Sequence, residues 1–120
     1  MIVAGLGFSN RATEASLVEA FAALQQRPDR VVTLRCKAES PVFQAFARRE
    51  ALHVQTLEDD QIAGVATPTF SPRIHARFNT GSVAEAAALV GAGKGARLIQ
   101  TRYVTTDGLA TVALAEMIER

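Results

Sequence analysis

The chain has 120 residues, of which 48% are hydrophobic, and its 13 basic and 12 acidic side chains leave a net charge of +1. A chain of this length is expected to form one domain with its own core, and the even charge balance argues against a dedicated nucleic-acid-binding protein. The single cysteine, Cys36, excludes an intrachain disulfide framework and fits a reducing compartment.

The apolar stretches of the sequence bear on the cellular location of the protein. The N-terminal stretch MIVAGLGF lacks the basic region of a signal peptide and is broken by two glycines. No stretch approaches the ~18 uncharged apolar residues that a membrane span needs. We therefore expect a cytoplasmic protein whose partners include neither a membrane nor a nucleic acid.

The first predicted elements are two strands separated by a helix. Residues 2–6 form a short apolar run that ends at glycine, which is typical of a strand buried on both faces. In residues 14–26 apolar side chains recur at helical spacing, and Thr13 is well placed as the N-cap. Residues 30–37, RVVTLRCK, are β-branched and apolar and predict the second strand.

A second helix and a third strand follow. Ser40 is a candidate N-cap, and Pro41 at the first helical position strengthens the start signal. LHVQT then predicts a short strand, and a capping box from Thr56 to Asp59 predicts a brief helix after it.

Residues 64–72, GVATPTFSP, are predicted to form a loop because two prolines lie close together. The next stretch, RIHARFN, alternates strictly between two faces. Arg73, His75 and Arg77 would lie on one face, with Ile74, Ala76 and Phe78 on the other. This alternation predicts a short, half-exposed strand.

The last third predicts a helix and a hairpin. In TGSVAEAAALVGAGKGA, Ser82 and Glu85 form a capping box, the alanines favour a helix, and glycines from Gly91 end it. RLIQTRYV and LATVALAEM, joined through TTDG, predict a β-hairpin, after which the chain frays or turns helical. The sequence therefore predicts one α/β domain, a three-layer α/β/α sandwich with a mostly parallel or mixed sheet and a C-terminal antiparallel hairpin.

Three predicted loops lead into helix N-termini, where free N–H groups and the helix dipole favour anions. They are residues 9–11, 37–40 and 79–82, and parallel strands would bring them to one edge of the sheet. Their hydroxyl, amide and basic side chains suit a ligand with several carboxylates or phosphates. Taken singly, Thr13, Ser40 and Ser82 are more often plain helix caps.

The glycine turn at residues 5–7 does not match a dinucleotide-binding fingerprint. Asn10 stands where the third glycine belongs, and the second strand ends in Arg35-Cys36-Lys37, where an acidic residue should bind a ribose. The chain also lacks GxxxxGK[ST], the usual phosphate loop of NTPases. His53, His75 and Cys36 lie far apart, so no metal site is expected. Lys37 and Glu39 would either perform general acid–base work or form a plain ion pair.

Four motifs follow one another along the chain: GLGFSN before a capped helix, KAESPVFQAFA, SPRIHARFNTGSVAEAAAL, and a hairpin with Arg102 in its first arm. This order resembles the CobE-type cobalamin biosynthesis proteins, whose domain also forms the C-terminal part of the CbiG proteins of the anaerobic cobalamin route. The resemblance extends from Val3 to about Ala115, and its most specific pieces are TGSVAEAAAL and the Lys37-x-Glu39 pair.

The resemblance implies a compact α/β domain with a role in building the corrin ring of vitamin B12. CbiG proteins act on a cobalt-containing, ring-contracted intermediate, opening a lactone and releasing acetaldehyde, whereas stand-alone CobE proteins accompany the oxygen-dependent route. Two departures limit what carries over. The N-terminal part of CbiG has no counterpart in this sequence, so hydrolase activity is not expected to transfer whole, and Phe8 stands where family members often carry a cysteine.

Precorrin-type intermediates are flat, largely apolar tetrapyrroles ringed by carboxylates, which suits basic side chains and helix N-termini around an apolar floor. We therefore expect the chain to bind such a corrinoid intermediate and to need no cofactor. If the protein is a hydrolase, Glu39 is the expected base that activates water, and Lys37 steadies developing negative charge. The expected substrate-binding residues are Gly5, Gly7, Ser9, Asn10, Thr80, Gly81, Ser82 and Arg102.

Two other functions fit the same residues. A non-catalytic domain would dock on another enzyme of the corrin pathway and hand over an unstable intermediate. An unrelated α/β domain would instead bind a small phosphate ester at the same helix N-termini. A product formed by the chain alone, a product formed only with a second enzyme, and competition by simple phosphates would separate the three.

Overall fold

The computed structural model describes residues 1–117, and their elements alternate as an α/β chain does. The strands are β1 (Ile2–Phe8), β2 (Arg30–Leu34), β3 (Val54–Leu57), β4 (Arg97–Val104) and β5 (Ala110–Glu116). The helices are α1 (Glu14–Ala22), α2 (Arg35–Ala38), α3 (Pro41–Arg49), α4 (Asp59–Ile62), α5 (Pro72–Phe78) and α6 (Val83–Ala92). The expectation for the residues after the hairpin lies outside the described residues.

The five strands form one mixed sheet in the order β3-β2-β1-β5-β4. β1, β2 and β3 are parallel, whereas β5 is antiparallel to both β1 and β4. One face is covered by α1 and α3 through a cluster that includes Leu17, Phe43 and Phe46. The other is covered by α6, with Ile62 of α4 and Phe78 of α5 in the same cluster. The predicted α/β/α sandwich is confirmed.

Helix α6 lies unusually close to the sheet. A Cβ atom on Gly5 would overlap the carbonyl oxygen of Ala84 and would lie 2.5 Å from the backbone nitrogen of Ala88. Only glycine fits under backbone atoms at such a distance, because those atoms cannot rotate away. Gly5 therefore serves the contact between β1 and α6.

The stretch predicted as a strand at residues 73–79 is a helix, α5, so that prediction is wrong. Ser71 caps it, since its Oγ accepts a hydrogen bond of 3.4 Å from the backbone N–H of Ile74, and Pro72 occupies the first turn. Asn79 ends the helix in the left-handed conformation at φ 57°. A stretch of seven residues is too short to distinguish the period of two of a strand from the period of 3.6 of a helix. The helix start signal at Ser71 and Pro72 therefore predicts the structure better than the alternation does.

Smaller differences affect the strand ends. β2 ends at Leu34, and the three residues predicted to follow in the strand belong to the single helical turn α2. The capping box of α4 joins Glu58 to Gln61, two residues beyond the predicted pair at Thr56 and Asp59. The predicted N-caps of α1, α3 and α6 are confirmed. Within residues 1–117 no helix is long and apolar enough to cross a membrane.

Candidate ligand-binding cleft

A cleft of about 590 Å³ opens beyond the carboxyl ends of β1 and β2. Its walls come from the end of β1 and the loop after it, from α2, from α5, from the first turn of α6 and from the β4–β5 hairpin. This is the edge at which open α/β sheets bind ligands, since strand-to-helix loops emerge there. We call it the basic cleft because of its charged side chains.

The charged residues that line the basic cleft are all cations: Arg11, Lys37, Arg73, Arg77 and Arg102. No aspartate or glutamate is among the lining residues, and within residues 1–117 no salt bridge engages any of these five side chains. A concave surface lined by one sign of charge concentrates ligands of the opposite sign. The cleft is therefore suited to a ligand with several negative charges.

The remaining lining is largely apolar and forms the floor of the cleft. It includes Phe8, Leu34, Ile74, Phe78, Val83, Val104 and Leu109. The Phe8 ring is held by stacking on Phe43, with ring centroids 5.8 Å apart and planes 10° from parallel. An apolar floor with polar groups at its rim is typical of sites for large organic ligands.

Lys37 contacts both the floor and the rim. Its Nζ donates a 2.9 Å hydrogen bond to Asn10 Oδ1 and lies 5.5 Å from the centroid of the Phe8 ring. Partial burial lowers the pKa of Lys37, and the positive charge of Arg77 lowers it further, while Cys36 has the opposite effect. An anionic ligand beside this ammonium group would offset the cost of holding it there.

Glu39, two residues later, opens on a different cleft. This second cleft, of about 450 Å³, has four acidic residues in its lining, and we call it the acidic cleft. Its lining consists of Arg35, Cys36, Glu39, Leu57, Glu58, Asp59 and Asp60. The predicted catalytic pair is separated because α2 is helical, and residues two apart on a helix point to nearly opposite sides.

Most of the predicted substrate-binding residues meet at the basic cleft. Gly7, Ser9, Asn10, Ser82 and Arg102 line it. Ser82 is only 1% exposed, and its Oγ accepts a 3.2 Å hydrogen bond from Glu85 N. Its hydroxyl therefore caps α6.

The other three predicted residues lie outside the cleft lining. Gly5 lies under α6, as described above. Thr80 is 2% exposed, and its Oγ1 donates a 2.7 Å hydrogen bond to Val65 O. A Cβ atom on Gly81 would lie 2.5 Å from Thr69 O. Thr80 and Gly81 thus support the loop at residues 64–71.

Two lining cations, Arg73 and Arg77, belong neither to the predicted site residues nor to the three predicted loops. They lie one helical turn apart on α5 and line the cleft together with Ile74 and Phe78. The signal that would have found them is the Ser71-Pro72 helix start, because helical spacing brings both arginines to one face.

The two histidines are not in the lining of either cleft. His75 turns toward the exposed ring of Phe70, with ring centroids 5.1 Å apart, and His53 is exposed ahead of β3. In the part of the chain that the structure describes, no three His, Cys, Asp or Glu residues are grouped closely enough to hold a metal ion.

The tip of the β4–β5 hairpin, which forms one wall of the basic cleft, is tied to α1 by Asp107. This carboxylate accepts hydrogen bonds of 2.6 Å from Ser16 Oγ and 2.6 Å from Thr105 Oγ1. These bonds lower the pKa of Asp107, the one from Ser16 most strongly. The adjacent Gly108 and Leu109 line the cleft, so this tie holds the wall in place.

Glu19 of α1 makes a second tie to the same hairpin. It accepts hydrogen bonds of 2.9 Å from the backbone N–H of Thr106 and 2.8 Å from the hydroxyl of Tyr103. The first of these contributes most to lowering the pKa of Glu19, and the Tyr103 hydroxyl adds to it. Both carboxylates are thus stabilised in their ionised form by contacts that exist only in the folded chain.

Solved structures of cobalamin biosynthesis proteins share this fold. CobE, a protein from the cobalamin (vitamin B12) biosynthetic pathway, matches with a TM-score of 0.79 at 23% identity, over 100% of this chain and 93% of CobE. The cobalamin biosynthesis protein chiG from Agrobacterium tumefaciens str. C58 matches with a TM-score of 0.74 at 29% identity, over 99% of this chain and 100% of chiG. A cobalamin biosynthesis protein G homolog from Sulfolobus solfataricus matches at 0.68 and 16% identity, over 95% of this chain and 36% of the homolog.

Among curated protein sequences, none matches this chain. The profile of the protein family described as "Cobalamin synthesis G C-terminus" does match, over residues 2–115, which is nearly the whole chain. This confirms the resemblance that the four sequence motifs indicated. The chain therefore belongs to the Cobalamin synthesis G C-terminus family of cobalamin biosynthesis proteins.

Proposed function

We propose that the basic cleft binds a precorrin-type corrin intermediate by its peripheral carboxylates. The observation that supports this most is the lining itself, in which five cations surround an apolar floor and no carboxylate is present. A corrin intermediate is a flat, mainly apolar ring with carboxylates around its edge. The floor and the rim of the cleft thus match the two parts of such a ligand.

The cations and the polar lining residues would bind different carboxylates of the ligand. Arginine guanidinium groups can bind a carboxylate through two parallel hydrogen bonds, which makes Arg73, Arg77 and Arg102 the expected anchors. Ser9 and Asn10 lie at the end of β1 and can bond to further carboxylates. The Phe8 ring would lie against the face of the macrocycle.

The lining favours binding over hydrolysis. None of the lining residues is a carboxylate or a histidine, the side chains that most often act as general bases. Glu39, the residue expected to activate water, belongs to the acidic cleft. If the domain does process its ligand, Lys37 is the residue that would meet developing negative charge.

A non-catalytic carrier is therefore the second candidate function. Such a domain would hold an unstable intermediate and pass it to another enzyme of the corrin pathway. The absence of carboxylates and histidines from the lining favours this candidate. We place the transfer in the cytoplasm, where the exposed thiol of Cys36 stays reduced.

A titration with two matched ligands tests the proposal. A ring-contracted corrin polycarboxylic acid should shift its visible absorbance on binding, with saturation at micromolar protein. The methyl ester of the same corrin has the same ring but no charges, and it should bind at least about tenfold more weakly, since charge-assisted hydrogen bonds are lost. Equal affinities, or no spectral shift with either ligand, would contradict the proposal.

A second experiment separates the enzyme from the carrier. The protein is incubated with the corrin acid alone and then with a candidate pathway enzyme, and the products are analysed by mass spectrometry. A mass change with the protein alone identifies an enzyme. A product that forms only with the second enzyme, and faster when this protein is present, identifies a carrier.

A further inference from the structure

Glu85 of α6 has a fully buried carboxylate that joins two walls of the basic cleft. The residue is 0% exposed. Its Oε1 accepts hydrogen bonds of 3.1 Å from the backbone N–H of Thr69 and 2.8 Å from the Thr69 hydroxyl. Its Oε2 accepts a 2.8 Å hydrogen bond from the backbone N–H of Arg102. The predicted capping box is thus only half formed, because the Glu85 side chain reaches a loop and a strand and does not return to Ser82.

The bond to Arg102 compensates for an irregularity in β4. The strand pairs regularly with β5 at Leu98 and again from Tyr103, but the register shifts twice between these residues. Such bulges place extra residues in one strand, disrupt the ladder and re-aim side chains. The N–H of Arg102 lies in this stretch and finds its acceptor in Glu85, while its side chain lines the cleft.

The bonds to Thr69 fix the segment that leads into α5. This segment, residues 64–71, rests on the start of α6, where Ser71 N donates a 2.9 Å hydrogen bond to Gly81 O. Gly81 leaves room for the loop, because a Cβ atom there would lie 2.6 Å from Thr67 Oγ1. Since α5 begins immediately after the loop, Glu85 influences where Arg73 and Arg77 stand.

We infer that Glu85 is the positioning residue of the basic cleft, holding the α5 wall and the Arg102 wall at a fixed separation. This inference rests on the proposed function, since it assumes that both walls bind one ligand. It deepens that function by defining the ligand further. A ligand bound by both walls would carry carboxylates on two separate edges, at a spacing that matches the distance that the protein sets between the walls.

The first test is Glu85→Gln, which preserves shape but replaces one acceptor oxygen with a donor. All three groups that face the carboxylate are donors in the present arrangement, so at least one of them loses its acceptor. We expect the affinity for the corrin polycarboxylic acid to fall about tenfold, measured by the absorbance titration at a temperature where far-ultraviolet circular dichroism shows a folded chain.

A double-mutant cycle separates positioning from a general loss of stability. With Arg102→Ala already present, Glu85→Gln should cost only about threefold, because one of the two walls it positions has lost its anchor. With Arg11→Ala present, the loss should stay about tenfold, since Arg11 lies on the β1 loop and does not contact Glu85. Equal losses in both backgrounds would overturn the inference.

Thr69→Ala is the second variant, for use if Glu85→Gln does not fold. It removes one of the two hydrogen bonds between Thr69 and Glu85 and leaves the carboxylate paired with the backbone N–H of Thr69. We expect a loss of about threefold that disappears when Arg73→Ala and Arg77→Ala are also present. A loss that persists there would refute the positioning role. Failure of the wild-type protein to bind the corrin acid would instead refute the proposed function.

Discussion

The basic cleft and the acidic cleft lie on either side of α2, at the same edge of the sheet, yet they are built differently. The basic cleft has a second wall, α5, that brings apolar and cationic side chains over the strand ends. The acidic cleft is lined by exposed carboxylates, and one of them, Glu58, pairs with Arg35 at 3.4 Å. Its other acidic side chains are also exposed, with Asp59 and Asp60 in the first turn of α4 and Glu39 at the end of α2.

This difference shows that a position at the end of a parallel strand is not sufficient to form a ligand-binding site. Both clefts have helix N-termini and residues of α2 at their rims. Only the basic cleft has an apolar floor, from which a bound organic ligand can displace water. The element that distinguishes them is α5, the one whose type the alternating sequence pattern obscured.

The largest expected effect comes from removing the cations of α5. Arg73→Ala combined with Arg77→Ala should weaken binding of the corrin acid about 100-fold, since two charge-assisted hydrogen bonds are lost. Both side chains are exposed, so thermal unfolding should change little. The matched control is Asp59→Asn with Asp60→Asn in the acidic cleft, which should leave the affinity within about twofold. Similar losses from both pairs would mean that the two clefts do not differ as proposed.

A smaller effect is expected from α2, whose residues belong to both clefts. Lys37→Ala should reduce the affinity about tenfold, because one ammonium contact is lost. Glu39→Ala, two residues away, should leave the affinity unchanged, since that side chain opens on the acidic cleft. Titrations of the two variants side by side test this. An unchanged affinity in Lys37→Ala would remove that residue from the site.

The smallest expected effect concerns pH. Folding lowers the pKa of Glu19 and Asp107 below their ordinary values of 4.5 and 3.8. Their contacts therefore stabilise the folded chain above those values, and this stabilisation is lost as the pH falls through the lowered pKa of each group. Wild-type protein should unfold at a slightly higher temperature than Glu19→Gln at pH 6, and the difference should shrink below about pH 4. A difference that is constant with pH would show that the charge of Glu19 does not matter.

Sequence patterns were sufficient to find the five strands of the sheet, because most of these strands are apolar or β-branched and are bounded by clear turn and cap signals. The hairpin arm RLIQTRYV coincides with β4, and Thr13, Ser40 and Ser82 cap the helices that they were expected to cap. These features depend on neighbouring residues alone, so local reasoning reaches them.

The site was harder to predict because it depends on contacts between distant residues. Lys37 and Glu39 would share a face only if the second strand continued, and the single turn of α2 turns them apart. Arg73 and Arg77 were placed on a strand, since seven residues are too few to distinguish a period of two from a period of 3.6. The role of Glu85 requires knowing that a bulge in β4 lies beside it, which no local pattern reveals.

The close approach of α6 to the sheet gives the alanine-rich segment another meaning. Ala84, Ala86, Ala87 and Ala88 are all 0% exposed, and Gly5 beneath them admits no side chain. Larger residues would push the layers apart, so the thickness of the sandwich dictates the composition of TGSVAEAAAL as much as any ligand does. A sequence search with this segment would therefore find proteins that have the same distance between helix and sheet. The arginines of α5 would be needed to identify those that bind the same kind of ligand.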